Sequence, residues 1–174
     1  MMSTPKTIPG KPSFALVDHH GRPVTEQTYR GRWLLVFFGF THCRMVCPRA
    51  LRKLTAVLDE LGDLADELCP LYVTVDPERD TPEVLQEFLG PYRRYTGLTG
   101  SVEAVEQAKR EFRVFARRKD DPDDPDGYSV PHTAFTYLIS PEGEYAAHFP
   151  DGFTVDEITD GLRSQTGKVD GRSE

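Results

Sequence analysis

The sequence predicts an α/β fold: a central mixed sheet flanked by helices, with a β-hairpin at its N-terminal side. Three observations carry this expectation. A continuous apolar run, "WLLVFFGF" (33–40), suits a strand covered on both faces, and "PLYVTVDP" (70–77) reads as the next buried strand, ended by Pro77. Each is followed by apolar residues recurring at three and four, the period of a helix with one buried face. Toward each end of the chain, short apolar stretches flank a Gly/Pro turn, which reads as a hairpin. The chain's 174 residues fit one domain with a sizeable core, and 38% apolar with 28% charged residues is a globular composition. The expected organisation is a flexible arm over 1–12, a folded domain over 13–165 and a frayed tail over 166–174.

In order, "FALVDHHGRPVTEQTYRG" gives two short strands around a turn at Gly21 and Pro23, with His19 and His20 in or beside it. A solvated turn is the plain reading of that histidine pair, and metal binding the sharper alternative. After the 33–40 strand, Cys47, Ala50, Leu51, Leu54, Val57, Leu58 and Leu61 form one apolar helical face that stops at Gly62. After the 70–77 strand, Thr81 is the expected N-cap of a second helix, with Pro82 first and Glu83 in the first turn. Val84, Leu85, Phe88 and Leu89 form its inner face. "GLTGS" (97–101) is too short to assign. A third helix carries Val102, Val105, Ala108, Phe112 and Phe115 on one side. "RRKDDPDDPDG" (117–127) reads as a charged, solvated loop. "HTAFTYLISPEGEYAAHF" (132–149) is a hairpin cornered at Gly143. "TVDEITDGL" is a final short helix capped by Thr154, with a polar, frayed tail beyond Arg163.

Charge and composition narrow the function classes. A net charge of −7 argues against a nucleic-acid binder, which normally shows a basic face. The first residues lack the apolar stretch of a secretory leader, and no run reaches the length of a membrane span. A soluble, monomeric chain is therefore expected, either cytoplasmic or lacking a targeting segment that lies outside it. Three cysteines are too few for a disulfide framework. Cys69, before a strand and away from the other two, reads as a buried structural thiol.

The chemistry concentrates at Cys43 and Cys47. Cys43 falls where a strand meets a helix. There, free N–H groups and the positive end of the helix dipole favour thiolate. Cys47 is one turn on, close enough to share a ligand. Three readings compete: two buried thiols, a dithiol redox pair, or a soft-metal site. A bare C-x3-C is weak, so a third ligand decides. His132 is the candidate, because it opens a strand expected in the same sheet. His42 reads as local support and His148 as exposed. Asp76 ends a strand at the same sheet edge as Cys43, where a carboxylate that supports the metal ligands is the sharper reading and a loop cap within "DPERDTP" the plainer one. Phe40 and Trp33 read as core.

"FFGFTHCRMVCPRAL", "VTVDPERDTPEVLQEF" and "HTAFTYLISPEGEY" together resemble the signature segments of the Sco/SenC family, over about Phe14 to Leu162. The resemblance implies a thioredoxin-like fold. It also implies a metallochaperone that binds copper, as Cu(I) or Cu(II), through Cys43, Cys47 and His132, and that delivers it for cytochrome c oxidase assembly. A cytochrome c oxidase subunit or another copper or redox protein is the implied partner, and family members usually work membrane-anchored outside the cytoplasm. The chain departs from the family pattern at two places. Arg44, Met45 and Val46 stand where the motif interior usually reads Pro-Asp-Val, and Pro131 stands where an aspartate usually precedes the histidine. Arg44 favours thiolate and disfavours a bound cation. Met45 offers a soft thioether or simply packs. Pro131 cannot orient an imidazole as a carboxylate does. The alternatives are a thiol–disulfide oxidoreductase or peroxide-reducing enzyme, with Cys43 attacking and Cys47 resolving, and a redox sensor that binds a partner.

Overall fold

A computed structural model of the chain describes residues 11–40, 46–114, 119–120, 128–129, 135–150 and 153–170; the side chains of 46–49, 119–120, 128–129, 135 and 167–170 are left aside. The apolar runs become the middle of one sheet. Strand β3 (Trp33–Gly39) is buried along its whole length, and β4 (Leu68–Thr74) pairs with it in parallel, Trp33 opposite Leu68 through Gly39 opposite Thr74. Both runs lack polar alternation because both faces are covered. On one face, Trp33, Leu35 and Phe37 pack with residues of α1 (Val46–Leu61), α2 (Pro82–Phe88) and α4 (Val155–Asp170). On the other, Leu34, Val36 and Phe38 pack with Val105, Ala108 and Phe112 of α3 (Val102–Glu111) and its end.

The remaining strands complete a seven-stranded mixed sheet. The N-terminal hairpin is β1 (Ala15–Asp18) and β2 (Pro23–Thr25). Asp18 closes its turn: the buried carboxylate accepts from the backbone N–H groups of His20 and Arg22 at 2.9 and 3.0 Å. β5 (Thr96–Thr99) lies between β1 and β4, and β8 (Phe135–Ile139) with β9 (Tyr145–Pro150) forms the opposite flank. The order is β2-β1-β5-β4-β3-β8-β9. The expected hairpin at Gly143 forms, with φ at +92° and the Arg30 guanidinium lying where a side chain would project. That residue is therefore glycine for two reasons, its backbone angle and its contact.

Three expectations change. "GLTGS", left unassigned, contributes to β5, an inner strand of the sheet. It lacks a strand's apolar alternation because Leu85 and Leu89 of α2 fill the space above Gly97, within 3.2 Å of where a Cβ would stand. The 117–127 loop is pinned at its base: β6 (Lys119–Asp120) pairs antiparallel with β7 (Tyr128–Ser129), while residues 121–127 lie outside the described residues. The final helix is not short. Thr154 and Glu157 form a reciprocal cap, and α4 runs to Asp170, past the expected end at Arg163. Leu162 and Thr166 are buried, and the Arg163 guanidinium donates to the Glu60 carbonyl of α1 at 2.9 Å, so tertiary packing carries the helix through a polar sequence.

Candidate functional site

One edge of the sheet holds the strand ends from which the candidate-ligand segments continue in the chain. β3 and β4 are parallel and end there, at Gly39 and Thr74. β8 is antiparallel to β3 and begins there, with Thr136 opposite Phe37. The chain leaving β3 passes through 41–45 into α1, which opens at Val46. Cys47 is thus the second residue of α1. Cys43, His42, Arg44 and Met45 lie outside the described residues, as do Val130, Pro131 and His132, which lead into β8.

The same edge holds a buried polar cluster where β4 exits. The Val75 N–H donates to the Gly39 carbonyl at 2.8 Å, which carries the β3–β4 ladder one step past the last rung. Asp76 follows and is 3% exposed. Its N–H donates to the Thr74 hydroxyl at 2.9 Å, and its carbonyl accepts from the N–H groups of Arg79 and Asp80 at 3.2 and 2.9 Å. Its carboxylate pairs with the Arg79 Nε at 2.5 Å, in a bridge whose side chains are only 8% and 4% exposed. The Thr74 hydroxyl donates to Asp80 Oδ2 at 2.7 Å, and the Asp80 carbonyl accepts from the Thr99 hydroxyl of β5 at 2.7 Å. The loop-cap role expected of Asp76 is present. What the sequence reading missed is the partnership of Asp76 with Arg79 and the burial of Asp80. Their spacing within "DPERDTP" was the available signal: a carboxylate and a guanidinium three apart meet across one turn.

The other singled-out residues resolve into structural roles. His19 Nδ1 accepts the Gly97 N–H at 2.9 Å. In the neutral ring this leaves the proton on Nε2, so neither nitrogen offers a lone pair to a metal. Burial, then the neighbouring His20, holds the His19 pKa below its ordinary value, which favours that neutral form. His20 Nδ1 lies 3.3 Å from Gln86 Nε2 of α2. Among the described residues no three of His, Cys, Asp and Glu gather to hold a metal. Cys69 is a free thiol, 5% exposed, and burial pushes its pKa up, as befits a structural cysteine. His148, expected to be exposed, is partly buried on β9: its Nδ1 meets the Tyr145 hydroxyl, and burial lowers its pKa. Phe40 and Trp33 are core, 5% and 4% exposed.

The comparisons with known proteins agree with one another. The family model described as SCO1/SenC matches residues 3–167. The human mitochondrial SCO1 homologue is 41% identical over 156 residues, which cover 88% of this chain and 51% of that protein. Sco1 of Schizosaccharomyces pombe is 36% identical over 155 residues, covering 87% of this chain and 59% of that protein. The chain therefore spans between about half and three fifths of these curated relatives. Among solved structures, Arabidopsis thaliana ScoI with copper bound superposes with a TM-score of 0.86 at 33% identity, over 91% of this chain and 98% of that one. Yeast Sco1 with copper bound gives 0.81 at 29% identity, over 94% of each chain. The fold is thioredoxin-like, as these neighbours are.

Proposed function

Because the chain belongs to the SCO1/SenC family, we propose that it is a copper-binding metallochaperone whose ligands are Cys43, Cys47 and His132. The observation that most supports this is the pairing of β8 with β3, Leu34 opposite Ile139 through Phe37 opposite Thr136. It brings the chain entering β8, three residues after His132, to the edge where β3 runs toward Cys43. Two thiolates and an imidazole form a soft donor set that suits copper, and the low coordination number of Cu(I) is met by three ligands. The motif leads into a helix that opens at Val46, and the positive end of a helix favours the deprotonated, ligating form of a thiol. Copper here is cargo: it is taken up by the reduced dithiol and passed to another copper protein. A cytochrome c oxidase subunit is the recipient that family membership implies, met by a monomeric carrier. Among the described residues no helix is long and apolar enough to cross a membrane. The human relative's name places that protein in mitochondria; for this chain the proposal puts copper delivery outside the cytoplasm.

An anaerobic titration of the reduced protein with Cu(I), against a competing chelator, tests this reading. One copper should bind tightly. His132→Ala should weaken it, and the Cys43→Ser/Cys47→Ser variant should abolish it. Equal binding by the double variant would sink the ligand assignment. The position of Cys47 in the first turn of α1 also keeps a second reading open, in which the same thiols exchange disulfides. Turnover of insulin above the rate with dithiothreitol alone, unaffected by His132→Ala, would favour that reading.

A further inference from the structure

The starting end of the parallel strands, opposite the end where β3 runs toward the cysteine segment, holds a cleft of its own. β4 pairs with β3 from Leu68 onward, but β5 joins β4 only at Leu71, opposite Thr96. Leu68, Cys69 and Pro70 therefore have no partner strand on the β5 side, and Pro70 has no N–H to offer one. A cleft of about 210 Å3 opens there. Arg32, just before β3, and Arg94, just before β5, flank the start of β4 and line it, together with Thr96. Arg32 is held in place: its Nη2 donates to the Leu68 and Asp66 carbonyls at 3.0 and 3.4 Å, and its Nε and Nη1 have no partner among the described residues. Arg94 gives Nη1 to Asp59 at 2.9 Å in an exposed pair, of the kind that contributes little and exchanges readily for a better anion. The Thr96 hydroxyl makes no hydrogen bond within the described residues. Asp66 is the one acidic residue lining the cleft. On a chain of net charge −7, two guanidiniums bordering one cleft stand against the general repulsion of anions. We propose that this cleft binds a small oxyanion carrying two or more negative charges, either a phosphoryl group or a multivalent carboxylate, between Arg32 and Arg94. A guanidinium presents paired N–H groups that match two oxygens of either group. The volume lies below the roughly 300–1,000 Å3 of sites for drug-sized ligands, which limits the occupant to a small ion. The cleft is independent of the copper reading, because every residue it uses lies at the other end of the strands.

Calorimetric titration of the whole chain, reduced and copper-free, with pyrophosphate and separately with citrate tests this, in chloride buffers of matched ionic strength. Saturable one-to-one binding is the expected result. Pyrophosphate alone would assign a phosphoryl ligand, citrate alone a carboxylate one, and binding of both the chemistry the two share. Arg94→Gln removes an exposed cation and should leave the fold intact while weakening binding about tenfold, the loss of one charge-assisted contact. Arg32→Gln should weaken it by a similar factor. Arg32 also caps the start of β4, so thermal unfolding is followed in parallel, and Arg94→Gln decides the matter if Arg32→Gln does not fold. Asp66→Asn gives the opposite sign: it removes the carboxylate lining the cleft and should tighten binding by about twofold or more. Failure of both ions to bind saturably would overturn the proposal. So would an affinity that Arg94→Gln leaves unchanged, since the ion would then sit elsewhere on the chain.

Discussion

The two ends of the parallel strands treat charge in opposite ways. Where β3 and β4 end, Thr74, Asp76 and Asp80 are buried, each engaged in short hydrogen bonds, and Arg79 is drawn in with them. Where the same strands begin, an open cleft of about 210 Å3 is lined by Arg32, Arg94 and Cys69 among others. Arg94 pairs there with Asp59 at 2.9 Å, but the two side chains are 48% and 66% exposed. Arg32 caps the start of β4 by donating to the Leu68 carbonyl at 3.0 Å. The contrast separates two uses of a charged side chain. At the starting end, charge solvates the protein and its pairing adds little. At the finishing end, charge has been taken out of water, where every partner matters. In open α/β sheets the finishing end is where ligands collect, and here it is also the end that carries the cysteine segment.

Breaking one partner of each ion pair gives the sharpest form of the comparison. Asp76→Ala removes the buried carboxylate facing Arg79 and should destabilise the fold by about 3–5 kcal/mol. Arg94→Ala at the opposite end should change stability by only about 0.2–1 kcal/mol, and less in high salt. Urea denaturation of both variants, at low and high salt, measures the gap; similar losses would mean that burial does not distinguish the two ends. Between these lies Thr74→Val. It keeps the shape but takes away the donor to Asp80 and the acceptor of the Asp76 N–H, a loss of about 1–3 kcal/mol in the same assay.

The same contrast explains what the sequence could say. The strands and helices with strong periodicity were legible: β3, α1, the cap at Thr81 and the hairpin at Gly143 all stand where the pattern puts them. β5 was not, because Gly97 leaves its space to Leu85 and Leu89 from another element. The length of α4 was not, because Thr166 is buried by tertiary packing that no local pattern announces. At the candidate site, Cys43, Cys47 and His132 were named from motif and placement and stand as proposed ligands, since Cys43, His132 and the Cys47 side chain lie outside the described residues. Asp76 was singled out but underrated. Its carboxylate faces Arg79 within one turn, and a sequence displays the spacing of two charges without displaying their burial.

The hairpin at β1–β2 lies between the two extremes, and it gives the smallest effect and the finest test. His19 is partly buried and accepts the Gly97 N–H through Nδ1, which requires the neutral ring. Burial and the neighbouring His20 lower its pKa in the folded state from 6.5. The folded chain therefore binds fewer protons than the unfolded chain in the window just below that value. Its contribution to stability is complete above about pH 6.5 and declines as pH falls through that value toward the folded pKa. His148, whose pKa burial also lowers, adds to the same decline, so the wild-type slope belongs to both. The variant His19→Asn separates them, because its amide oxygen can take the place of Nδ1 as acceptor for Gly97 without titrating. Denaturation at pH 7.5 and 5 should show the variant losing less stability on acidification than the wild type. An unchanged slope would assign the whole effect to His148 and leave the His19 contact without a role in acid sensitivity.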